Sequence, residues 1–124
     1  MAKRVFVAFA IEDATYRDFL SGQAKLNKSP FEFVDMSVKQ PWDEKWKTNC
    51  RARIKGSDGV VALISKNTPQ ATGQLWEIAC AYEEKKPVML MYINDDRPSL
   101  PPVIKDKRIN VWSWDNIKKF ISTS

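Results

Sequence analysis

The chain has no histidine and, in 124 residues, only two cysteines and four glycines. Without histidine, the Ser-His-Asp and Cys-His nucleophile arrangements and the usual histidine-bound metal centres are excluded before any of them is weighed. Cys50 and Cys80 fall in two different expected helices, with neither the close pairing of a zinc site nor the density of a disulfide scaffold. Both are expected as core thiols, and no metal is expected. No Walker-type loop occurs, and the first strand is followed by acidic Ala10-Ile11-Glu12-Asp13 with no glycine where a dinucleotide or flavin phosphate would need close backbone approach. No apolar stretch nears the roughly 20 residues of a membrane span. Met1-Ala2-Lys3-Arg4 leads straight into a β-rich run with no cleavage-like segment, so a soluble, cytoplasmic protein is expected.

What is present suits a single domain, 1–124, with 44% apolar and 28% charged residues, long enough for one hydrophobic core. The net charge of +5 is spread along the chain rather than gathered in one block, which favours an anionic small ligand over nucleic acid.

Arg4 to Ala10 reads as a first strand, and Asp13 as the N-cap of a helix with Tyr16, Phe19, Leu20 and Leu26 toward one face. After a connection at Asn27 to Pro30, Phe31 to Met36 gives a second strand. A helix then carries Trp42, Trp46, Cys50 and Ile54 at i+4 spacing and closes at Gly56. Gly59 to Ser65 is nearly continuous apolar sequence, as a central parallel strand covered on both faces requires. The next helix, from about Thr72 to Lys86, aligns Leu75, Ile78, Ala79 and Tyr82, and Pro87 precedes a strand from Val88 to Ile93. A proline-rich connection, a fifth strand at Arg108 to Trp112 and a helix capped by Ser113, with Trp114, Ile117, Phe120 and Ile121 inward, complete the pattern. Strands alternating with crossover helices predict an α/β, three-layer, flavodoxin-like fold with a five-stranded parallel sheet in the order 2-1-3-4-5.

Open α/β sheets bind ligands at the carboxyl ends of their strands. A phospho-receiver would need an aspartate after the third strand and a lysine after the fifth, where this chain has Ser65 and Trp112-Ser113. Asp58 lies at the opposite edge. The carboxyl edge instead gathers Phe9 and Glu12, Asp35, Trp42 and Trp46, Ser65, and Trp76-Glu77. Aromatic faces beside carboxylates suit a flat cationic heterocycle joined to a sugar, such as the nicotinamide riboside of NAD+. Cleaving that N-glycosidic bond builds positive charge on the ribose, which one carboxylate can stabilise, and the pyridinium leaves neutral without needing an acid.

At these residues the chain resembles the TIR-like proteins of bacterial antiphage defence, in particular the TIR subunit of Thoeris systems. The resemblance rests on Val5-Phe6-Val7-Ala8-Phe9 with Asp13 after it, Ser29-Pro30-Phe31-Glu32-Phe33-Val34-Asp35, and Pro41-Trp42. It continues through Ser57-Asp58-Gly59-Val60-Val61, Ser65-Lys66-Asn67-Thr68 and Gln74-Leu75-Trp76-Glu77. It implies an infection-triggered enzyme that consumes NAD+ as substrate, without a cofactor, and releases nicotinamide. The product would be an ADP-ribose signal, cyclic in this branch, that activates a separate effector protein. It also implies a homo-oligomer and a phage-derived trigger. Glu77 is then the catalytic glutamate, and Phe9, Ile11 and Asp13 the first-strand loop that lines the nucleotide pocket; Glu12, Asp35, Trp42, Ser65 and Trp76 from the carboxyl edge complete the expected substrate-binding set. The chain departs from many TIR domains in having Ala8 for a serine and Gly73 for a tryptophan one turn before the glutamate.

Simpler roles exist for the same residues. Glu77 near a helix N-terminus is also what the helix dipole favours, Trp46 and Cys50 also fit core packing, and Lys47, Arg51 and Lys55 also fit a solvated basic face. Two other functions fit the pattern: a non-catalytic TIR-like signalling module docking through the helix Asp43 to Lys55, and a nucleoside deoxyribosyltransferase-like enzyme.

Overall fold

Gly59, Val60, Val61, Ala62, Leu63 and Ile64 form a strand in which every residue is buried, because sheet neighbours flank it on both edges and helices cover both faces. The computed structural model describes residues 3–26, 31–36 and 39–123. In chain order its elements are β1 (Lys3–Ala8), α1 (Ala14–Leu26), β2 (Phe31–Val34), α2 (Glu44–Lys55), β3 (Gly59–Ile64), α3 (Thr72–Glu83), β4 (Val88–Tyr92), β5 (Ile109–Val111) and α4 (Trp114–Thr123). All pairings in the sheet are parallel and the order is β2-β1-β3-β4-β5, as the alternation of elements predicts. Among the described residues, no helix is long and apolar enough to cross a membrane.

Side chains alternate across the sheet and divide the core in two. Phe6, Ala8, Val60, Ala62 and Ile64 meet Trp46, Cys50 and Ile54 of α2 and Ile78, Cys80 and Ala81 of α3. Val5, Val7, Val61 and Leu63 meet Leu20 of α1 and Ile117 and Ile121 of α4. Both cysteines are buried and free, as expected, and burial pushes both thiols upward, Cys80 to about 11.

Helix ends follow local chemistry. The Asp43 carboxylate accepts from the amides of Lys45 and Trp46 at the start of α2, and Gly56 ends that helix. Ser113 caps α4 through the Asn116 amide. Helix α3 stops at Glu83, three residues before the expected Lys86. The Lys85 amide donates to the Tyr82 carbonyl, the Lys86 amide donates to the Ala81 carbonyl, and Lys85 takes a left-handed φ of 57°. That hydrogen-bond pair is the Schellman closure, and Pro87 forbids helical backbone at the residue before it.

Other expectations are corrected. On α1, Leu20 is buried but Phe19 and Leu26 are 62% and 86% exposed. Trp42 lies in the turn before α2, 74% exposed, rather than on the helix. Strand β2 ends at Val34, leaving Asp35 and Met36 beyond it. The expected connection at Asn27 to Pro30 lies outside the described residues.

Candidate functional site

Helix α3 turns residues 74, 77, 78 and 81 inward, one position earlier than the face Leu75, Ile78, Ala79, Tyr82 expected from its apolar spacing. Both sets satisfy the i, i+3, i+4, i+7 rule. The difference is a rotation of about 100°, and it is set by Gln74. Its Nε2 donates to the carbonyls of Ala8 at 3.1 Å and Leu63 at 2.6 Å, both at the ends of central strands. Turning Gln74 inward satisfies those buried carbonyls and brings Glu77, one turn later, to the carboxyl edge of the sheet with no exposed surface.

There the Glu77 carboxylate accepts from Lys39 Nζ at 2.7 Å, in a pair whose side chains are 0% and 7% exposed. Its other oxygen has no partner among the described residues. Burial pushes the Glu77 carboxyl upward, and the Lys39 ammonium pulls it back down. Lys39 Nζ also stands 3.9 Å from the centre of the buried Phe9 ring. The Arg17 guanidinium lies 5.0 Å from the same ring and pairs with Asp35 at 3.0 Å. An aromatic ring and two carboxylates are thus held together, each carboxylate matched by a cation.

Beside this group lies a second cluster. Asp13 accepts from the Ser65 hydroxyl and, at 3.0 Å, from the Asn67 side-chain amide. The Asn67 backbone amide donates to Ser65 Oγ, and the Ser65 amide donates to Thr68 Oγ1. Asp13 was expected to cap α1; both its oxygens are instead engaged by the loop after β3, tying that loop to the one after β1.

Of the expected site residues, Phe9 and Asp35 therefore accompany Glu77, and Asp13 and Ser65 form the neighbouring cluster. Ile11 and Glu12 are exposed on a short 3-10 turn after β1. Trp42 is exposed. Trp76 lies in the α2–α3 seam, edge-on to Trp46 at 5.5 Å with Arg51 over its ring, lining a cavity of about 450 Å³. Sequence reasoning missed Lys39, Arg17 and the role of Gln74. A polar pair at i and i+3 in an otherwise apolar helix was the available signal for Gln74; nothing local marks Lys39, whose partner is 38 positions away.

The arrangement holds a cation, the Lys39 ammonium, against the face of Phe9 and on a carboxylate beside it. A family model described as Thoeris protein ThsB, TIR-like domain, matches residues 6–98. Among solved structures, the chain is similar to the TIR domain of the Toll-related receptor TRR-2 from Hydra magnipapillata. That match has a TM-score of 0.65 and 12% identity, and covers 96% of this chain and 91% of that one. It is also similar to a prokaryotic SEFIR domain, with a TM-score of 0.54, 14% identity, and 98% and 89% covered. At such identities the two structures speak for the fold. No curated protein matches the sequence. The family match runs from the second half of β1 through β4 and includes the helix that carries Glu77, and the chain belongs to the TIR-like domain family of the Thoeris protein ThsB.

Proposed function

We propose that the protein is a TIR-type NAD+ glycohydrolase or cyclase, cleaving the nicotinamide–ribose bond to make an ADP-ribose signal in antiphage defence. One observation carries the reading: a fully buried carboxylate, Glu77, at the carboxyl edge of the sheet beside the Phe9 ring. Burial of a charge is costly unless it serves a partner or a reaction. A carboxylate in a low-dielectric site stabilises an adjacent oxocarbenium centre far better than one in water. Phe9 supports the departing pyridinium, Asp35 and Arg17 border it, and Asp13 with Ser65 holds the loops that frame the nucleotide. Membership in the Thoeris family supports the biological setting: turnover triggered by infection, assembly into a homo-oligomer, and a separate effector reached through the product.

The test is nicotinamide release from NAD+ by concentrated purified protein and by lysate of expressing cells under phage challenge, with free nucleosides as competing substrates. Release from NAD+ supports the proposal. Release of base from nucleosides alone would indicate the deoxyribosyltransferase-like chemistry.

A non-catalytic interaction module is favoured by a different observation. Tyr16, Phe19, Leu26, Ile93 and Trp112 line an apolar cavity of about 550 Å³ on the opposite face from α2. The docking face expected on α2 is less suited, because Arg51 is paired with Glu83 and Glu84, and Lys47 with Glu44. Folded protein without NAD+ turnover in either setting would select this reading.

A further inference from the structure

Lys39 leaves only 7% of its side-chain surface exposed, although lysine is among the residues least often found inside. Its long stem gives up rotamer freedom to lie there. Three features receive it. The stem runs along Gly73, where an added Cβ would meet Lys39 Cβ at 2.7 Å and Cγ at 3.2 Å. The ammonium stands over Phe9, and it ends on Glu77. Glycine is a poorer helix residue than alanine, and here its bareness is what leaves room for the lysine. The result is a groove shaped to an extended cation, formed from the same ring and carboxylate that the proposed reaction assigns to the nicotinamide ring.

Two cations cannot share that space. We propose that Lys39 is a tethered surrogate for the pyridinium ring, so that the resting protein is self-blocked and NAD+ enters only when the lysine side chain withdraws. This rests on the reading of Glu77 as the catalytic group. Arg17 is not a second plug, because Asp35 and Asp18 hold its guanidinium. An intramolecular ligand acts at an effective concentration in the millimolar range. The apparent affinity for substrate is lowered by the fraction of molecules that are blocked. Displacement of the lysine is therefore a point at which a trigger can act without altering Glu77.

The probe is 1-methylnicotinamide, a pyridinium with no glycosidic bond, titrated by calorimetry into wild-type protein, Lys39→Met and Gly73→Ala. Lys39→Met keeps a stem of similar length but removes the ammonium that occupies the cation site; Gly73→Ala keeps every charge and, because its methyl group meets Lys39 Cβ, displaces the backbone at Lys39 and the stem with it. Lys39→Met leaves the carboxyl without a cation, so circular dichroism checks its folding, and Gly73→Ala decides the matter if it does not fold. Both variants are expected to bind the probe at least tenfold more tightly and to show a lower KM for NAD+ with Glu77-dependent release. Equal or weaker binding in the folded variants overturns the plug. Glu77-dependent turnover that Gly73→Ala leaves unchanged or lowers overturns the plug while the enzyme reading stands. Tighter probe binding without turnover upholds the plug and counts against the enzyme.

Discussion

Helix α2 starts under the Asp43 carboxylate, buries Trp46, Cys50 and Ile54 at i+4 spacing, and ends with Arg53 and Lys55 in its last turn. Its neighbour α3 starts with no side-chain cap, carries no acidic residue in its first turn, and buries Gln74 and Glu77 ahead of Ile78, Cys80 and Ala81. The two cover the same face of the sheet and are of equal length. The first fills its N-cap and carries charges that complement its dipole at both ends, whereas the second leaves its N-cap unfilled and places a charge where water cannot reach. Departures of this kind concentrate where a structure serves function rather than folding. By that contrast α3 is the helix proposed to bear the site and α2 its support.

Substitutions in the two helices should separate accordingly. Trp46→Ala removes the buried ring that meets Trp76 and should cost about 3–5 kcal/mol in chemical denaturation; a loss under 1 kcal/mol would break the assignment of α2 as support. Gln74→Leu strands the carbonyls of Ala8 and Leu63. It should cost about 1–3 kcal/mol and also reduce NAD+ turnover, because the rotation that presents Glu77 depends on it. Asp43→Ala removes the α2 cap and should cost about 1 kcal/mol with turnover unchanged in the folded protein; a fall in turnover would join α2 to the site. Lys85→Gly relieves the left-handed residue that closes α3 and should raise stability by about 0.5–1 kcal/mol, read as a higher melting temperature with unaltered NAD+ cleavage.

Sequence and structure agree best where the pattern is redundant. The run Gly59 to Ile64 could only be a covered strand, and the alternation of strands with crossover helices left the order of the sheet little freedom. The capping role of Ser113 and the inward stripe of α2 were equally legible, since each depends on residues a few positions apart. Phe19 and Leu26 were misplaced because helical spacing cannot say which apolar residues find a partner. The inward face of α3 was misread for a deeper reason. Its apolar face and its polar face both satisfy the helical period, and the choice between them was made by carbonyls on β1 and β3. Glu77 stands out in the sequence as the candidate catalytic residue, yet its complete burial, and the Lys39 ammonium that accompanies it, arise from contacts between distant segments.

The central claim, that α3 bears a catalytic carboxylate rather than a structural one, is tested by Glu77→Gln. The amide keeps the size of the side chain and an acceptor for Lys39, but it leaves the Lys39 ammonium without its counter-charge, so folding is measured beside activity. Nicotinamide release and thermal melting would be measured on the same preparation, beside wild type. A cooperatively folded variant with turnover reduced at least about a hundredfold is expected. A folded variant that releases nicotinamide at the wild-type rate would contradict it.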